Sequence, residues 1–189
     1  MSFDVPAEID VATLLRGAKR GDEQAWRGIV ARFTPLVVAI CRSHGLSSPD
    51  TLDVSQVVWL RLVEHLERIR ELEALAGWIA VTTRNECMHT YRSARRRDFV
   101  AIDFDRPAAD VADTVVDRQE RRLVLEAFGS LGDRCRELLS LLVADPPVAY
   151  SEIAVILDLP VGSIGPTRQR CIENLRKKLH LPAEPKDRL

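Results

Sequence analysis

Apolar residues recur at helical spacing along most of the chain, and strand-like alternation is nearly absent. A first short helix is predicted after Asp10, and Gly21-Asp22 ends it and caps a second helix. Pro35 lies within the second apolar pattern, where a proline is expected to bend or interrupt a helix. The hydrophobic pattern therefore predicts an all-α fold.

The next apolar stripe predicts a helix from about Asp50 to Arg70. Its buried face is expected to carry the residues that repeat at spacings of three and four: Leu52, Ser55, Trp59, Leu62, Leu66 and Ile69. Asp53 and Gln56 lie off this face, together with Val57 and Leu60. Two apolar residues on a polar face suit a contact with another protein.

A short segment, Glu71–Ala76, leads to a helix predicted over Gly77–Arg97. Its expected core stripe is Ile79, Thr83, Cys87, Tyr91 and Ala94, and its opposite face carries Trp78, Asn85, His89, Arg92 and Arg96. An aromatic ring, an amide and guanidinium groups in one row suit single-stranded nucleic acid, because rings stack on bases and arginines follow the backbone. Trp78 has a second interpretation, as a buried structural residue.

Residues 98–117 differ from the rest, because they are rich in Asp and Ala and show no sustained helical stripe. Four further helices are predicted after them: Arg118–Ser130, Asp133–Ala144, Tyr150–Leu157 and Ser163–Leu179. The chain therefore divides into two small helical domains, 10–97 and 118–180, with a flexible acidic linker over 98–117. The polar residues 181–189 form a tail.

The segment Tyr150–Leu179 has the form of a helix-turn-helix, the arrangement that places a second, basic helix in the major groove of DNA. The two helices are expected to pack through Ile153, Ala154, Leu157, Leu159 and Ile164. If Ser163 is the N-cap, Pro166 falls in the first turn, where its missing N–H costs little. A plain helical hairpin with a solvated basic face is the alternative.

The first turns of this helix present Ser163, Pro166, Thr167 and Arg170 to one side. Arg170 could pair with guanine, a contact that contributes about 1–3 kcal/mol of discrimination. Arg176, Lys177 and Lys178 are better placed for phosphates, which position a protein without specifying the sequence. Arg168 lies near the buried stripe and has two interpretations, a DNA contact or a pair with a carboxylate.

The net charge is only −1, but basic and acidic residues are segregated. Two basic clusters are present, Arg92, Arg95, Arg96 and Arg97 in the first and Arg168, Arg170, Arg176, Lys177 and Lys178 in the second. The acidic linker separates them. This pattern favours nucleic-acid contacts at both ends of the chain.

Other classes of protein find little support. The chain has no apolar run long enough for a membrane span and no secretory signal, so a cytoplasmic protein without membrane insertion is expected. The four cysteines are widely spaced, which predicts reduced core cysteines and no metal site. The four histidines are scattered and no catalytic motif is present, so neither an enzyme nor a cofactor is predicted.

Taken together, these segments resemble the extracytoplasmic-function sigma factors of bacterial RNA polymerase, from Asp10 to Leu179. The similar segments are GDEQAWRGIVARF (Gly21–Phe33), DVSQVVWLRLVEHL (Asp53–Leu66), WIAVTTRNEC (Trp78–Cys87), LGDRCRELLSLL (Leu131–Leu142) and PVGSIGPTRQR (Pro160–Arg170). The chain departs from the family at Val57, where Glu is usual. It also departs at residues 165–167, where many relatives have Lys-Ser-Arg.

The resemblance implies a role for each segment. Region two, in the first domain, would bind core polymerase through Asp53, Gln56, Val57 and Leu60. It would bind the melted non-template strand of the minus-ten element through Trp78, Arg84, Asn85, His89, Arg92, Arg95 and Arg96, with the loop Glu71–Ala76 beside Asn85. Region four would bind the minus-thirty-five duplex through Ser163, Pro166, Thr167, Arg168, Arg170, Arg176 and Lys177.

We therefore expect a sigma factor that directs promoter-specific transcription initiation. Its expected partners are the RNA polymerase core enzyme and promoter DNA, and the resemblance adds an anti-sigma protein as a candidate. The alternative is a stand-alone helix-turn-helix regulator, which would leave the helices over 53–97 unexplained.

Overall fold

The computed structural model describes residues 11–69, 72–97 and 115–180; for residues 72, 73, 92–97 and 115–119 it describes the backbone alone. Within these ranges all regular structure is helical, which confirms the predicted all-α fold. The predicted tail over 181–189 and most of the predicted linker, residues 98–114, lie outside the described residues.

The α-helices are α1 (Val11–Lys19), α2 (Glu23–Ser43), α3 (Ser48–His65), α4 (Leu72–Arg97), α5 (Val115–Gly129), α6 (Asp133–Leu142), α7 (Tyr150–Leu157) and α8 (Ile164–Lys178). Single 3-10 turns, Leu66–Arg68 and Val161–Ser163, precede α4 and α8.

Helix α2 begins at the predicted cap and runs past its proline. The Asp22 side chain accepts hydrogen bonds from the backbone amides of Gln24 at 2.9 Å and Ala25 at 3.3 Å. Pro35 lies inside α2, which is not interrupted there. Buried residues on both sides of the proline, Phe33 among them, hold the helix in the core despite the lost hydrogen bond.

Helix α3 and the turn after it bury only part of the predicted stripe. Leu62, Leu66 and Ile69 are buried as predicted, whereas Leu52 is 64% exposed and Val54 and Val58 are buried instead. The sequence could not decide between the two faces because apolar residues occupy both. Packing of α2 and α4 against the Val54 side settles the choice.

Helix α4 starts at Leu72, so most of the predicted loop Glu71–Ala76 is its first turns, and the loop prediction was wrong. The reason is burial, since Leu75 and Ala76 belong to the same core as Ile79. Tyr91, which the sequence placed in the core stripe of this helix, is 47% exposed.

The helix-turn-helix is formed by α7 and α8. Ile153, Ala154, Leu157 and Ile164 are buried and Leu159 packs against them, as predicted. Helix α8 begins at Ile164, which makes Pro166 its third residue. The turn is held from outside by Arg134 of α6, whose Nη2 donates to the carbonyls of Leu157 at 3.0 Å and Asp158 at 3.1 Å.

The two halves of the described chain, α1–α4 and α5–α8, pack against each other. Helix α2 contacts α6, and α4 contacts α7. Most of the buried apolar residues of both halves form one cluster, in which Leu138, Leu141 and Ile153 of the second half are fully buried. The division into two domains stays a prediction.

Of the helices that the structure describes, none combines the length and the apolar character that a bilayer span requires.

Candidate nucleic-acid and protein interfaces

The outward face of α3 carries an apolar strip, formed by Leu52, Leu60 and Val63, which are 64%, 61% and 54% exposed. Asp53 and Gln56 are exposed beside this strip, and Val57 is half-buried. Large apolar side chains held in water along one helix face are typical of a surface that another protein covers. The polar and apolar residues predicted for a protein contact therefore share one accessible face.

The outward face of α4 carries Asn85 and His89, both exposed. Val81 and Met88 lie on the same side and are 52% and 43% exposed, so they do not pack inside. The side chains of three further predicted site residues, Arg92, Arg95 and Arg96, lie outside the described part of the structure, although the backbone of α4 continues through them.

Trp78 lies at the edge of this face and is half-buried. Its ring centroid is 5.7 Å from that of His65, and its side chain packs against the hydrophobic core. These contacts favour the structural interpretation of Trp78 over base stacking.

Arg84 contacts the second half of the chain. Its Nε donates to the two Glu137 carboxylate oxygens at 2.9 and 3.1 Å, and its Nη2 donates to Glu137 Oε1 at 2.6 Å. The same Nη2 donates to the carbonyl of Ile156 at 2.6 Å. The guanidinium therefore joins α4 to both α6 and α7.

A second ion pair joins the halves nearby. Arg32 Nη2 of α2 lies 2.7 Å from Glu152 Oε2 of α7, and both side chains are partly buried. We call the Arg84–Glu137 and Arg32–Glu152 contacts the interhelical ion pairs. Neither Arg32 nor the two glutamates were predicted as site residues, and the one available signal was a charge at position 137 on the apolar side of α6.

The first turns of α8 are accessible, with Pro166, Arg168 and Arg170 exposed and Thr167 half-buried. Arg170 Nη2 donates to Thr167 Oγ1 at 3.1 Å, which orients the guanidinium along the helix. Arg168 is exposed, so its guanidinium lies outside the buried stripe of α8, although its position in the sequence is close to that stripe.

The remaining site residues of this helix lie at its two ends. Ser163 is half-buried and its hydroxyl donates to the carbonyl of Pro160 at 2.8 Å, so this side chain does not cap the helix. Lys177 is exposed and Arg176 is half-buried in the last turn.

The cysteines lie in two pairs, one in each half of the chain. Cys41 and Cys87 are buried free thiols with their Sγ atoms 3.8 Å apart. The hydrogen bond with Cys41, together with burial, raises the pKa of the Cys87 thiol.

Cys135 of α6 and Cys171 of α8 form a disulfide with Cα atoms 5.4 Å apart, so the prediction of four reduced cysteines was wrong for this pair. The two cysteines are 36 positions apart, and the sequence contains no signal that helix packing brings them together.

Comparisons with known proteins point to one family. Residues 29–97 match the family model for Sigma-70 region 2. The chain is 28% identical over 184 residues to the ECF RNA polymerase sigma factor SigK of Mycolicibacterium vanbaalenii, covering 93% of this chain and 91% of the relative. It is 26% identical over 163 residues to the ECF RNA polymerase sigma-E factor of Escherichia coli K12, covering 80% and 84% of the two chains.

A solved structure, that of CnrH in complex with the cytosolic domain of CnrY, shares the fold. Its TM-score is 0.62 at 22% identity, over 90% of this chain and 98% of that one. These matches make the chain similar to the extracytoplasmic-function sigma factors and support its assignment to them. They support promoter-specific transcription initiation over the stand-alone regulator.

Proposed function

We propose that the chain binds the RNA polymerase core enzyme through the outward face of α3. The observation that carries the proposal is the apolar strip Leu52, Leu60 and Val63, which is exposed beside Asp53 and Gln56 within the segment that matches Sigma-70 region 2. Burying such a strip contributes favourably at about 25 cal/mol per Å² of apolar surface, and the neighbouring polar groups fix the orientation.

The promoter contacts divide between two helices. Asn85 and His89 on α4 would contact bases of the melted non-template strand, since an amide can pair with a base edge and both side chains are exposed. Helix α8 would enter the major groove of the minus-thirty-five duplex with its N-terminal turns, where Pro166, Thr167 and Arg170 lie. Arg168, Arg176 and Lys177 would contact phosphates.

The chain would act without catalysis of its own, in the cytoplasm where the polymerase works. It lowers the free energy of an open promoter by binding melted bases more tightly than paired ones. An anti-sigma protein is a further proposed partner, since the structurally similar CnrH was solved in complex with the cytosolic domain of another protein. The exposed apolar strip would suit such a partner as well as core polymerase.

The test uses purified full-length chain, core polymerase and a library of promoter fragments. We expect weak sequence-specific binding by the chain alone, and specific initiation once core enzyme is added, measured by sequencing the transcripts. Tight, selective operator binding without core enzyme, combined with no initiation, would reject the proposal.

One pair of variants assigns the core-binding surface. The double variant Asp53→Ala, Gln56→Ala is expected to weaken binding to core enzyme about tenfold, which corresponds to a loss of about 0.7 kcal/mol from each of the two side chains. The matched control is Glu23→Ala, Arg27→Ala, which removes an exposed ion pair of α2. Equal affinity of both double variants for core enzyme would reject α3 as the surface.

A further inference from the structure

Helix α8 is held to the rest of the second half along one narrow line. Of its residues only Ile164 and Cys171 are buried, two helical turns apart on the same face, and Cys171 is bonded to Cys135 of α6. Contacts along a single line leave rotation of α8 about that line unrestrained. The turn that leads into α8 must therefore decide which of its side chains face DNA.

That turn contains a left-handed residue that is not glycine. Asp158 ends α7 with φ 49° and ψ 60°, and the Leu159 amide donates to the carbonyl of Ala154 at 2.9 Å, the hydrogen bond of a Schellman cap. Glycine is usual at this position, because a Cβ makes the left-handed conformation less favourable. The conformation of the turn therefore needs support from another element.

Arg134 of α6 supplies this support. Its Nη2 donates to the carbonyls of Leu157 at 3.0 Å and Asp158 at 3.1 Å, which belong to the peptide groups on the two sides of the left-handed residue. Carbonyls at the C-terminal end of a helix lack partners within the helix, and a positive charge is favourable there. One side chain thereby fixes both peptide groups around Asp158.

We propose that Arg134 is a positioning residue for recognition of the minus-thirty-five element, and that it sets the rotation of α8 by holding the turn before it. The inference rests on the proposed function, in which Pro166, Thr167 and Arg170 meet the duplex. Hydrogen bonds to base edges weaken steeply when they are misaligned, whereas contacts with phosphates do not select a sequence. Loss of Arg134 therefore reduces discrimination between sequences more than it reduces affinity for DNA in general.

The test compares holoenzymes reconstituted from core polymerase and full-length chain. Binding is measured on a promoter fragment selected by the unmodified holoenzyme and on the same fragment with a scrambled minus-thirty-five element. The ratio of the two affinities is the discrimination. We expect Arg134→Ala to lower this ratio at least threefold, and Arg134→Lys to keep most of it, since an ammonium group also donates to carbonyls.

The matched control is Arg122→Ala, which removes an exposed arginine whose partner, Glu126, lies in the same helix. A fraction of unfolded chain would lower both affinities equally, so a purely structural effect leaves the ratio unchanged. Equal ratios for Arg134→Ala and Arg122→Ala would overturn the proposal.

A rescue variant tests whether Arg134 acts through the turn. Glycine adopts the left-handed conformation readily, so Asp158→Gly should hold the turn without the arginine. The double variant Arg134→Ala, Asp158→Gly is expected to recover the discrimination that Arg134→Ala loses, whereas Asp158→Gly alone should change it little. A double variant that discriminates as poorly as Arg134→Ala would reject the turn as the route of the effect.

The salt dependence of binding separates positioning from a direct contact with DNA. Removing an arginine that binds a phosphate reduces the slope of log affinity against log salt concentration by about one. We expect the same slope for Arg134→Ala as for the unmodified chain. A slope reduced by about one would show that Arg134 binds the DNA backbone itself, against the proposal.

The outcomes also distinguish this inference from the proposed function. If the unmodified holoenzyme does not distinguish the intact element from the scrambled one, the proposed role of α8 fails. If it does, and Arg134→Ala distinguishes them equally well, the role of α8 stands and the positioning by Arg134 is wrong.

Discussion

Glu137 is a charged residue on the buried side of α6, 8% exposed, and is followed by the fully buried Leu138 and Leu141. A carboxylate in such a position needs hydrogen-bond donors, because an unpaired buried charge costs several kcal/mol. Arg84 supplies them from the other half of the chain. The Arg84–Glu137 pair therefore determines the relative orientation of the two halves as well as contributing to the stability of the fold.

His44 lies at the same junction and makes the stability of the chain depend on pH. Burial lowers the pKa of His44 below its usual 6.5, with Arg136 and Arg84 acting in the same direction and Glu137 and Asp133 opposing them. The folded chain thus holds this imidazole neutral at pH values where the unfolded chain would protonate it. Its contribution to stability is present above pH 6.5 and is lost as the pH falls below that value.

We expect the free energy of unfolding to decrease between pH 7.5 and 5.5, with a smaller decrease in His44→Gln. Urea denaturation at each pH measures it, and His89→Gln, at an exposed position of α4, is the control. Identical pH profiles for the unmodified chain and His44→Gln would contradict the assignment.

At the scale of single residues, the sequence predicted which polar side chains are exposed, but it did not predict which charged residues pair with each other. It placed Asp53, Gln56 and Asn85 on outward faces, because polar residues off an apolar stripe have no other place on a helix. It did not find Arg32, Glu137 or the partner of Arg84. Those contacts join residues 53 or more positions apart, and a single sequence carries no signal for such pairs.

At the scale of elements, α1 is fixed to α2 by a close approach of their backbones. A Cβ on Gly17 would lie 2.6 Å from the Ala25 Cβ, which is attached directly to the backbone and cannot move aside. Glycine is needed at position 17 because no larger residue fits between the two helices.

Gly17→Ala is therefore expected to destabilise the chain by about 1–2 kcal/mol, the overpacking cost less the gain in helix propensity. Gly165→Ala is the matched control, since its Cβ would meet nothing within 4 Å in α8, and a small gain in stability is expected there. Urea denaturation compares the two variants. The explanation fails if Gly17→Ala is as stable as Gly165→Ala.

The disulfide is the second constraint at this scale, since Cys135–Cys171 ties α6 to α8 across a sequence separation of 36. Closing a loop of that size is expected to stabilise the folded state by about 3–4 kcal/mol. A reductant should lower the free energy of unfolding by this amount in the unmodified chain and leave Cys135→Ala, Cys171→Ala unaffected. An unfolding curve that does not respond to reductant would show that the bond contributes nothing to stability.

The elements that the sequence predicted well are those with one apolar stripe and clear end signals. Helix α7 has the predicted bounds, Tyr150–Leu157, and α2 starts at its predicted aspartate cap. The predictions for the first turns of α3 and for the start of α4 were wrong because apolar residues continue on both sides of those helices. Only the packing of neighbouring helices decides which side is buried there.

At the scale of the whole molecule, one hydrophobic cluster extends through both halves of the described chain. All three tryptophans, Trp26, Trp59 and Trp78, belong to the first half, in α2, α3 and α4. Tryptophan fluorescence therefore reports on the first half, whereas far-ultraviolet circular dichroism reports on every helix.

Because the halves share a core, we expect the two signals to follow one cooperative unfolding transition with the same urea midpoint. Glu137→Gln, Glu152→Gln should separate the two midpoints, since it weakens the junction between the halves. Separate transitions in the unmodified chain would show that the halves unfold independently.

The apolar strip of α3 has a consequence for how much of this protein a cell can hold. The described helices do not bury Leu52, Leu60 and Val63, so an unbound copy of the chain exposes an aggregation-prone apolar surface to other copies. Production in excess of whatever covers that strip would lead to self-association and removal by proteolysis. We therefore expect the amount of intact chain in a cell to follow the supply of whatever covers the strip.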